Sequence, residues 1–347
     1  MKNILTLLFL VYQVVYGQSY ENSSRFTKQE FEEDFEFIKI KILNAHANPY
    51  TIITENEFDS ICYSIKSQFS DNLTLGKFYS LIKPLFELLN DEHAGLDNWS
   101  IKNEVQQDNN IPQSKQREKK SPISYKKIKD YGYLTVNTFD DNSTFPVEIW
   151  KNKIDSIFVQ IKKEKIRKLV IDVSENPGGN SEIGNLLIDY FSNKSYKTYQ
   201  GKWKKSQEYS DFLLSYGYVD SVYENIKNGD YYPITVEQIH PAKNKNRFNG
   251  KTYVIVGMNT FSSALMFGVL VSDNKLATIV GEIPENGHPN HFGELIIFKT
   301  PNTKLEFWFG VKEWIRPAGK IVPNKLVPDR IIILNNKSEE QIIEELR

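Results

Sequence analysis

The chain has 347 residues, 40% of them apolar, and a formal net charge of −1. That length suffices for one large domain or two smaller ones with a sizeable core, and 19 Tyr and 21 Phe argue against a disordered chain. The near-neutral charge, with no basic stripe, excludes the electrostatic footprint that nucleic acid requires.

The first stretch, MKNILTLLFLVYQVVYGQSY, places one lysine before an apolar run from Ile4 to Val15. Val15 and Gly17 are small enough for the −3 and −1 positions of a signal-peptidase site. The pattern predicts a signal peptide over residues 1–17, a mature start near Gln18 and a periplasmic or extracellular location. The run is short for a membrane span. No later run is long enough to span, so no stable membrane span is expected once the signal is removed.

Residues 18–97 predict a helical subdomain. Phe31, Phe35, Ile38 and Ile42 recur at steps of three or four, as do Phe78, Leu81, Leu85 and Leu88, with Pro84 expected to kink or split the second helix. Cys62 is the only cysteine, which excludes a disulfide within the chain; its helical spacing predicts a buried core thiol. The sequon at Asn72–Thr74 matters only if the source glycosylates. Residues 98–124 are polar, charged and without period, and read as a linker or loop.

From residue 125 the pattern changes. YGYLTVNTF (131–139) predicts a strand, IDSIFVQIKK (154–163) a helix, and KLVIDV (168–173) a strand buried on both faces. SENPGGN is a turn, and SEIGNLLIDYF a helix with Ile183, Leu186, Leu187 and Tyr190 on one side. Residues 196–249 are not placed by pattern, and read as either a lid or part of a groove. KTYVIVG, SSALMFGVLVSDN and LATIVGE then give strand, helix and strand. This β–α–β–α–β order predicts an α/β core with right-handed crossovers over residues 125–347.

Three stretches carry candidate chemistry. In VGMNTFSSALMF a strand and turn lead to Ser262 and Ser263 at a helix start. There a nucleophile gains free N–H groups and the positive end of the helix dipole, and the Ser263 N–H can face an oxyanion. The alternative is that either serine is only an N-cap. In DVSENPGGNSE, Gly178 and Gly179 let the backbone approach a ligand closely and supply half of an oxyanion hole, or simply a turn needing positive φ. No G-x-G-x-x-G or Walker pattern supports phosphate binding. In LLNDEHAGL, His93 stands beside Asp91 and Glu92 and has the chemistry of a general base. His288 and His291, with Glu285 and Glu294 near, have an i, i+3 spacing too loose to commit to zinc, and no metal is expected.

Taken together, and in chain order, NDEHAGL, YGYLTVNTF, LVIDVSENPGGNSEIGNLLIDYF, VIVGMNTFSSALMFGVLVSDNKLATIVGE and RPAGKIVPNKLVPDRII resemble successive segments of the C-terminal-processing (tail-specific) and tricorn-type serine peptidase family. The resemblance runs over most of residues 30–335. It implies a crotonase-like (ClpP-like) α/β core with an N-terminal helical subdomain. It implies an exported peptidase in which Ser262 is the nucleophile, His93 the base, and the N–H of Ser263 with that of Gly178 or Gly179 the oxyanion hole. The Ser–Lys members carry a lysine after the GE strand. Here that region reads GEIPENGHPNHFG, which argues against the dyad. The tricorn-like branch has a serine where Glu92 stands and a glutamate where Val322 stands; Asp91, Glu92 or Glu313 is left to orient His93, with His288 as an auxiliary candidate. The space before Tyr131 is too short for the family's PDZ domain. No cofactor is implied; the expected partner is a peptide or unfolded protein, and a homo-oligomer is compatible. Two other readings stand beside this one: a catalytically weak member binding a hydrophobic ligand or peptide, and an acyl-CoA enzyme, which the signal peptide argues against.

Overall fold

The computed structural model describes residues 26–97 and 121–347. The expected signal peptide and most of the expected linker lie outside these. Thr27 and Thr54 open α1 (Lys28–Ala45) and α2 (Glu55–Lys66) with reciprocal capping boxes, closed by Glu30 and Glu57. Thr74 caps α3 (Leu75–Leu88), which runs unbroken through Pro84. The expected split does not occur: Pro84 and Ser80, whose carbonyl loses its helical partner, both lie on the exposed face where water can satisfy it. The buried face of α3 is also rotated from the expected one, to Phe78, Ile82, Leu85 and Phe86, leaving Leu81 and Leu88 half-buried.

A short β1 (Gly95–Leu96) follows. The next described elements are β2 (Ile123–Ile128), β3 (Tyr131–Val136), α4 (Val147–Lys163), β4 (Lys168–Asp172) and α5 (Ser181–Phe191). The expected linker thus ends in a strand that begins at Ile123. The unplaced stretch 196–249 forms β5 (Tyr196–Lys197), β6 (Gln200–Lys204), α6 (Gln207–Ser215), α7 (Ser221–Glu224), β7 (Tyr231–Ile234) and β8 (Gln238–Ile239). Then come β9 (Lys251–Val256), α8 (Ser262–Asp273), β10 (Thr278–Gly281), β11 (His291–Lys299), β12 (Glu306–Ile315), β13 (Arg330–Ile331) and α9 (Glu339–Leu346).

The main sheet has strand order β13-β10-β9-β4-β3-β2, parallel except for the β2–β3 hairpin. Its central strands are apolar on both sides because both sides are covered. Leu169, Ile171, Val254 and Val256 pack with α4, α5 and α8; Tyr133, Val170, Ile255 and Val280 pack with Ile342, Ile343 and Leu346 of α9. The molecule is thus a mixed α/β fold.

A second sheet is built on β12. One edge of β12 pairs with β11; the other pairs with β1 at its start and β6 at its end, and β6 pairs with β7. The stretch 196–249 therefore supplies strands to a sheet. Phe31, Phe35, Phe78 and Leu85 of the helical segment share one core with Trp203, Tyr209, Phe307, Phe309 and Val311. Asp34, fully buried, accepts hydrogen bonds from the Asn302 and Thr303 N–H groups at 2.8 and 2.7 Å, tying α1 to the β11–β12 turn. Among the described residues no helix is long and apolar enough to cross a membrane.

Candidate active site

Strands β4 and β9 end side by side, and the loops that follow them are stitched together. The Thr260 hydroxyl donates to the Val173 carbonyl at 2.8 Å and accepts from the Gly257 N–H at 2.9 Å, and the Phe261 N–H donates to the Asn176 carbonyl at 3.1 Å. These bonds fix the chain as it enters α8. Ser262 is the first residue of that helix and holds φ at +48°, a region a non-glycine residue seldom occupies. Phe261 occupies the N-cap position and no side chain caps the helix. Neither serine serves as an N-cap, so that reading of the pair fails.

Gly178 and Gly179 both have positive φ, +106° and +136°. A side chain at 178 would meet the Ser262 Cβ at 2.8 Å and the Ser263 N at 3.0 Å; one at 179 would meet the Phe139 carbonyl carbon at 2.2 Å. The glycines are required because the Asn176–Asn180 turn lies against the α8 start on one side and against Phe139 on the other. Their amides differ. The Gly178 N–H donates to Asn176 Oδ1 at 2.9 Å, so it is already committed and does not fit the oxyanion role. The Gly179 N–H and the Ser263 N–H have no protein partner among the described residues. The Ser263 hydroxyl donates to the Gly179 carbonyl at 2.5 Å, which fixes these two peptides relative to each other.

His93 comes from the turn between α3 and β1. Asn90, with φ +50°, ends the helix, and the pairing of Gly95 with Trp308 holds the far side of the turn. Gly95 has no room for a side chain, since a Cβ would meet the Trp308 indole at 2.4 Å. The turn places His93 Nε2 3.2 Å from Ser262 Oγ, with the imidazole packed at a tilt against Phe261 at a centroid distance of 4.8 Å. His93 Nδ1 is buried without a hydrogen-bond partner, and Asp91 Oδ1 lies 4.0 Å from it.

Asp91 is itself buried. Its Oδ1 accepts from the His93 backbone N–H at 2.9 Å, its Oδ2 accepts from the Gly310 N–H at 2.8 Å, and His46 Nε2 lies 3.4 Å from that same oxygen. Burial alone would push this carboxyl up; the adjacent His46 imidazole, the charge of His93 and the Gly310 N–H together hold it below the usual carboxylate range.

The other expected residues are not gathered here. Glu92 turns away from His93 and accepts from both the backbone N–H and Nδ1 of His288, each at 2.7 Å. That hydrogen bond raises His288 above its ordinary value against the opposing effect of burial. Glu313 pairs with Lys202 and Lys320, both at 3.3 Å, so it orients no histidine. Val322 is 93% exposed. His291 is buried with its ring centroid 5.9 Å from that of His93, and burial followed by the nearby His93 pushes it down to about 4. Glu294 pairs with Lys312. Among the described residues no three His, Cys, Asp or Glu side chains form a group able to hold a metal ion. Cys62 is buried in the helical core, and burial pushes its thiol up to about 11. A cleft of about 430 Å³, lined by Glu92, Met258, Asn259, Phe261 and Asn286, opens beside the Ser262 turn. His46 and Gly310 were missed by sequence reasoning; His46 sits at the end of an amphipathic helix with no local motif around it.

Several solved structures share this fold at low identity. A protein of Parabacteroides merdae assigned as a peptidase is 14% identical, with 92% of this chain and 96% of that one covered at a TM-score of 0.63. Mature CPAF in complex with lactacystin is 13% identical, with 88% and 94% covered at 0.60. The photosystem II D1 C-terminal processing protease is 11% identical, with 88% and 93% covered at 0.52. No curated protein matches the chain by sequence. Residues 130–325 match the model of peptidase family S41, a span that holds Gly178, Gly179, Ser262 and Ser263 and begins after Asp91 and His93. The chain belongs to peptidase family S41 and is a serine-type peptidase.

Proposed function

We propose that the protein hydrolyses peptide bonds through an acyl-enzyme on Ser262. The observation that carries this is Ser262 Oγ, held at positive φ on the first turn of α8, 3.2 Å from His93 Nε2. In the first half-reaction Oγ bonds to the substrate carbonyl carbon and its proton passes to His93 Nε2. The carbonyl oxygen becomes an oxyanion, which the N–H groups of Ser263 and Gly179 stabilise at the positive end of the α8 dipole. Collapse breaks the C–N bond, and the amine leaves with the proton from Nε2. Water then attacks the ester by the same route reversed. No lysine is bonded to Ser262 among the described residues, so the base in this reading is the histidine. Asp91 faces Nδ1 and offsets the charge of the imidazolium; its 4.0 Å separation is of the loose kind that tightens when the transition state forms.

The finer fold assignment, a crotonase-like core, is supported by the mostly parallel sheet with the nucleophile at its carboxyl edge. Export is supported by the sequence of residues 1–17 alone. The test is intact-mass spectrometry of the mature chain after fluorophosphonate treatment, with Ser262→Ala beside it. A single adduct on wild type that is absent from the variant is expected. No adduct on folded wild type, or an adduct that survives Ser262→Ala, overturns the assignment.

A further inference from the structure

His46 lies at the C-cap of α1, is fully buried, and packs against Phe292 and Phe309 with ring centroids 4.7 and 5.6 Å away. Its Nδ1 accepts from the Asn48 backbone N–H at 3.1 Å. That bond leaves the proton of the neutral ring on Nε2, the atom 3.4 Å from Asp91 Oδ2. A buried imidazole among aromatic rings is thus fixed in one tautomer, with its single N–H left without a hydrogen-bond partner and standing beside the carboxylate that faces His93.

We infer that His46 is a positioning residue for the reaction, the last member of a relay Ser262–His93–Asp91–His46. The inference rests on the peptidase reading above. Asp91 has little lateral freedom: one oxygen is bound by the His93 N–H, the other by the Gly310 N–H and faced by the His46 ring. The Gly310 N–H comes from β12, the imidazole of His46 from the end of α1, and the Ala47 N–H donates to the Gly310 carbonyl at 3.2 Å, so these two elements are locked to each other at the same point. Both oxygens are therefore engaged, and the carboxylate is kept ionised inside an aromatic shell where burial opposes it. The titratable groups around it are His46 from α1, His93 on its own turn and His291 from β11, with the Glu92–His288 pair beyond. Of these, only His46 and His93 come within 4.0 Å of Asp91, and His93 must be free to take the proton. His46 is the group left to hold Asp91 as an anion while His93 turns over.

The readout is the rate of fluorophosphonate labelling at Ser262, per folded molecule, as a function of pH. His46→Phe keeps the volume and removes the donor; burial then raises Asp91, which is neutral, and no help to an imidazolium, at the acid end of the range. The expected result is labelling slower by on the order of 10-fold near about pH 6, with the deficit closing toward about pH 9. His46→Gln, which retains a side-chain N–H donor, is expected to recover most of the loss. A deficit of the same size at every pH, or no deficit, overturns the inference, because a purely structural histidine lowers the active fraction without reshaping the profile. If His46→Phe does not fold, the ¹⁵N spectrum of wild type decides: a neutral Nε2-protonated ring supports the relay, and an Nδ1-protonated ring overturns it. Wild type that labels normally with an unchanged His46→Phe profile removes this inference alone; wild type that does not label removes the peptidase reading with it.

Discussion

Gly178→Ala and Gly229→Ala make a matched pair. Both glycines have positive φ, +106° and +92°. A Cβ at 229 meets nothing within 4 Å, whereas one at 178 meets Ser262 Cβ at 2.8 Å and the Ser263 N at 3.0 Å. Backbone strain alone is worth about 1–2 kcal/mol at either site. At 178 a further 1–3 kcal/mol, roughly, comes from overpacking against backbone that cannot rotate away, so the expected loss is about 2–5 kcal/mol there against about 1–2 kcal/mol at 229. Ordinary carbon–carbon contact begins near about 3.5 Å, so Ser262 must retreat by roughly 0.7 Å. A misplacement approaching about 1 Å in a catalytic group slows reaction on the order of 100-fold, which puts the expected drop in labelling rate between roughly 10- and 100-fold. Urea denaturation reads the stability and fluorophosphonate labelling of the folded fraction reads the rate. Gly229→Ala is expected to label like wild type. A Gly178→Ala protein that labels at the wild-type rate, or a Gly229→Ala protein slowed equally, refutes the claim that the glycine is there to admit the nucleophile.

Two further predictions concern the scaffold. Asp34→Asn turns an amide N–H₂ toward donors that Asp34 now accepts from Asn302 and Thr303, and leaves buried donors unpaired; the expected loss is about 3 kcal/mol in urea unfolding with labelling of the folded protein unchanged. His291 is depressed to about 4 in the folded chain against an ordinary value of about 6.5 when unfolded. The unfolded chain therefore takes up the proton first, and the His291 contribution to stability is intact above about pH 6.5 and lost as pH falls toward about 4, by on the order of 3 kcal/mol in all. His291→Phe is expected to flatten that limb of the stability–pH curve, and an unchanged limb would show that other groups govern it.

Much of the main sheet was legible because its physics is local in sequence. KLVIDV and KTYVIVG are apolar at consecutive positions since both faces of a parallel sheet are covered, and Asn-Pro-Gly-Gly can only be a turn. The pairing of a strand end with a helix start at Ser262 was legible for the same reason. The strain at Ser262 was not. Its φ is set by Thr260 and Phe261 binding Val173 and Asn176, and the Thr260–Val173 bond spans 87 positions of chain. Residues 196–249 resisted reading because β6 and β7 are half-polar strands buried only by partners from elsewhere: β12 along one edge, and the core that Trp203 and Tyr209 share with α1–α3. The fate of Gly178 was likewise hidden, since an Asn–Gly hydrogen bond two residues apart consumes the amide that the motif seemed to offer.

The carboxylate that faces His93 suggests how, in the proposed reading, a missing motif residue is made good from a different direction. The tricorn-like pattern calls for a glutamate in the closing segment, where this chain has Val322, 93% exposed and unable to reach a buried imidazole. In the proposed reading the charge comes instead from Asp91, two residues before the base and bonded to the backbone N–H of that base at 2.9 Å. So short a spacing alone would give a carboxylate free to swing into solvent. It is held because the Gly310 N–H of β12 binds its second oxygen and the His46 ring at the end of α1 closes over that oxygen. The orienting group is then a product of three elements meeting, and two of them, α1 and the α3–β1 turn, precede the 130–325 span that matches the family. Since α1–α3 share their apolar core with β11 and β12, cutting the helical segment away would expose that core and release Asp91 together. In the proposed reading the helices are part of the catalytic apparatus, and a core fragment beginning near residue 125 would retain Ser262 and the Ser263 and Gly179 amides yet lack both His93 and Asp91.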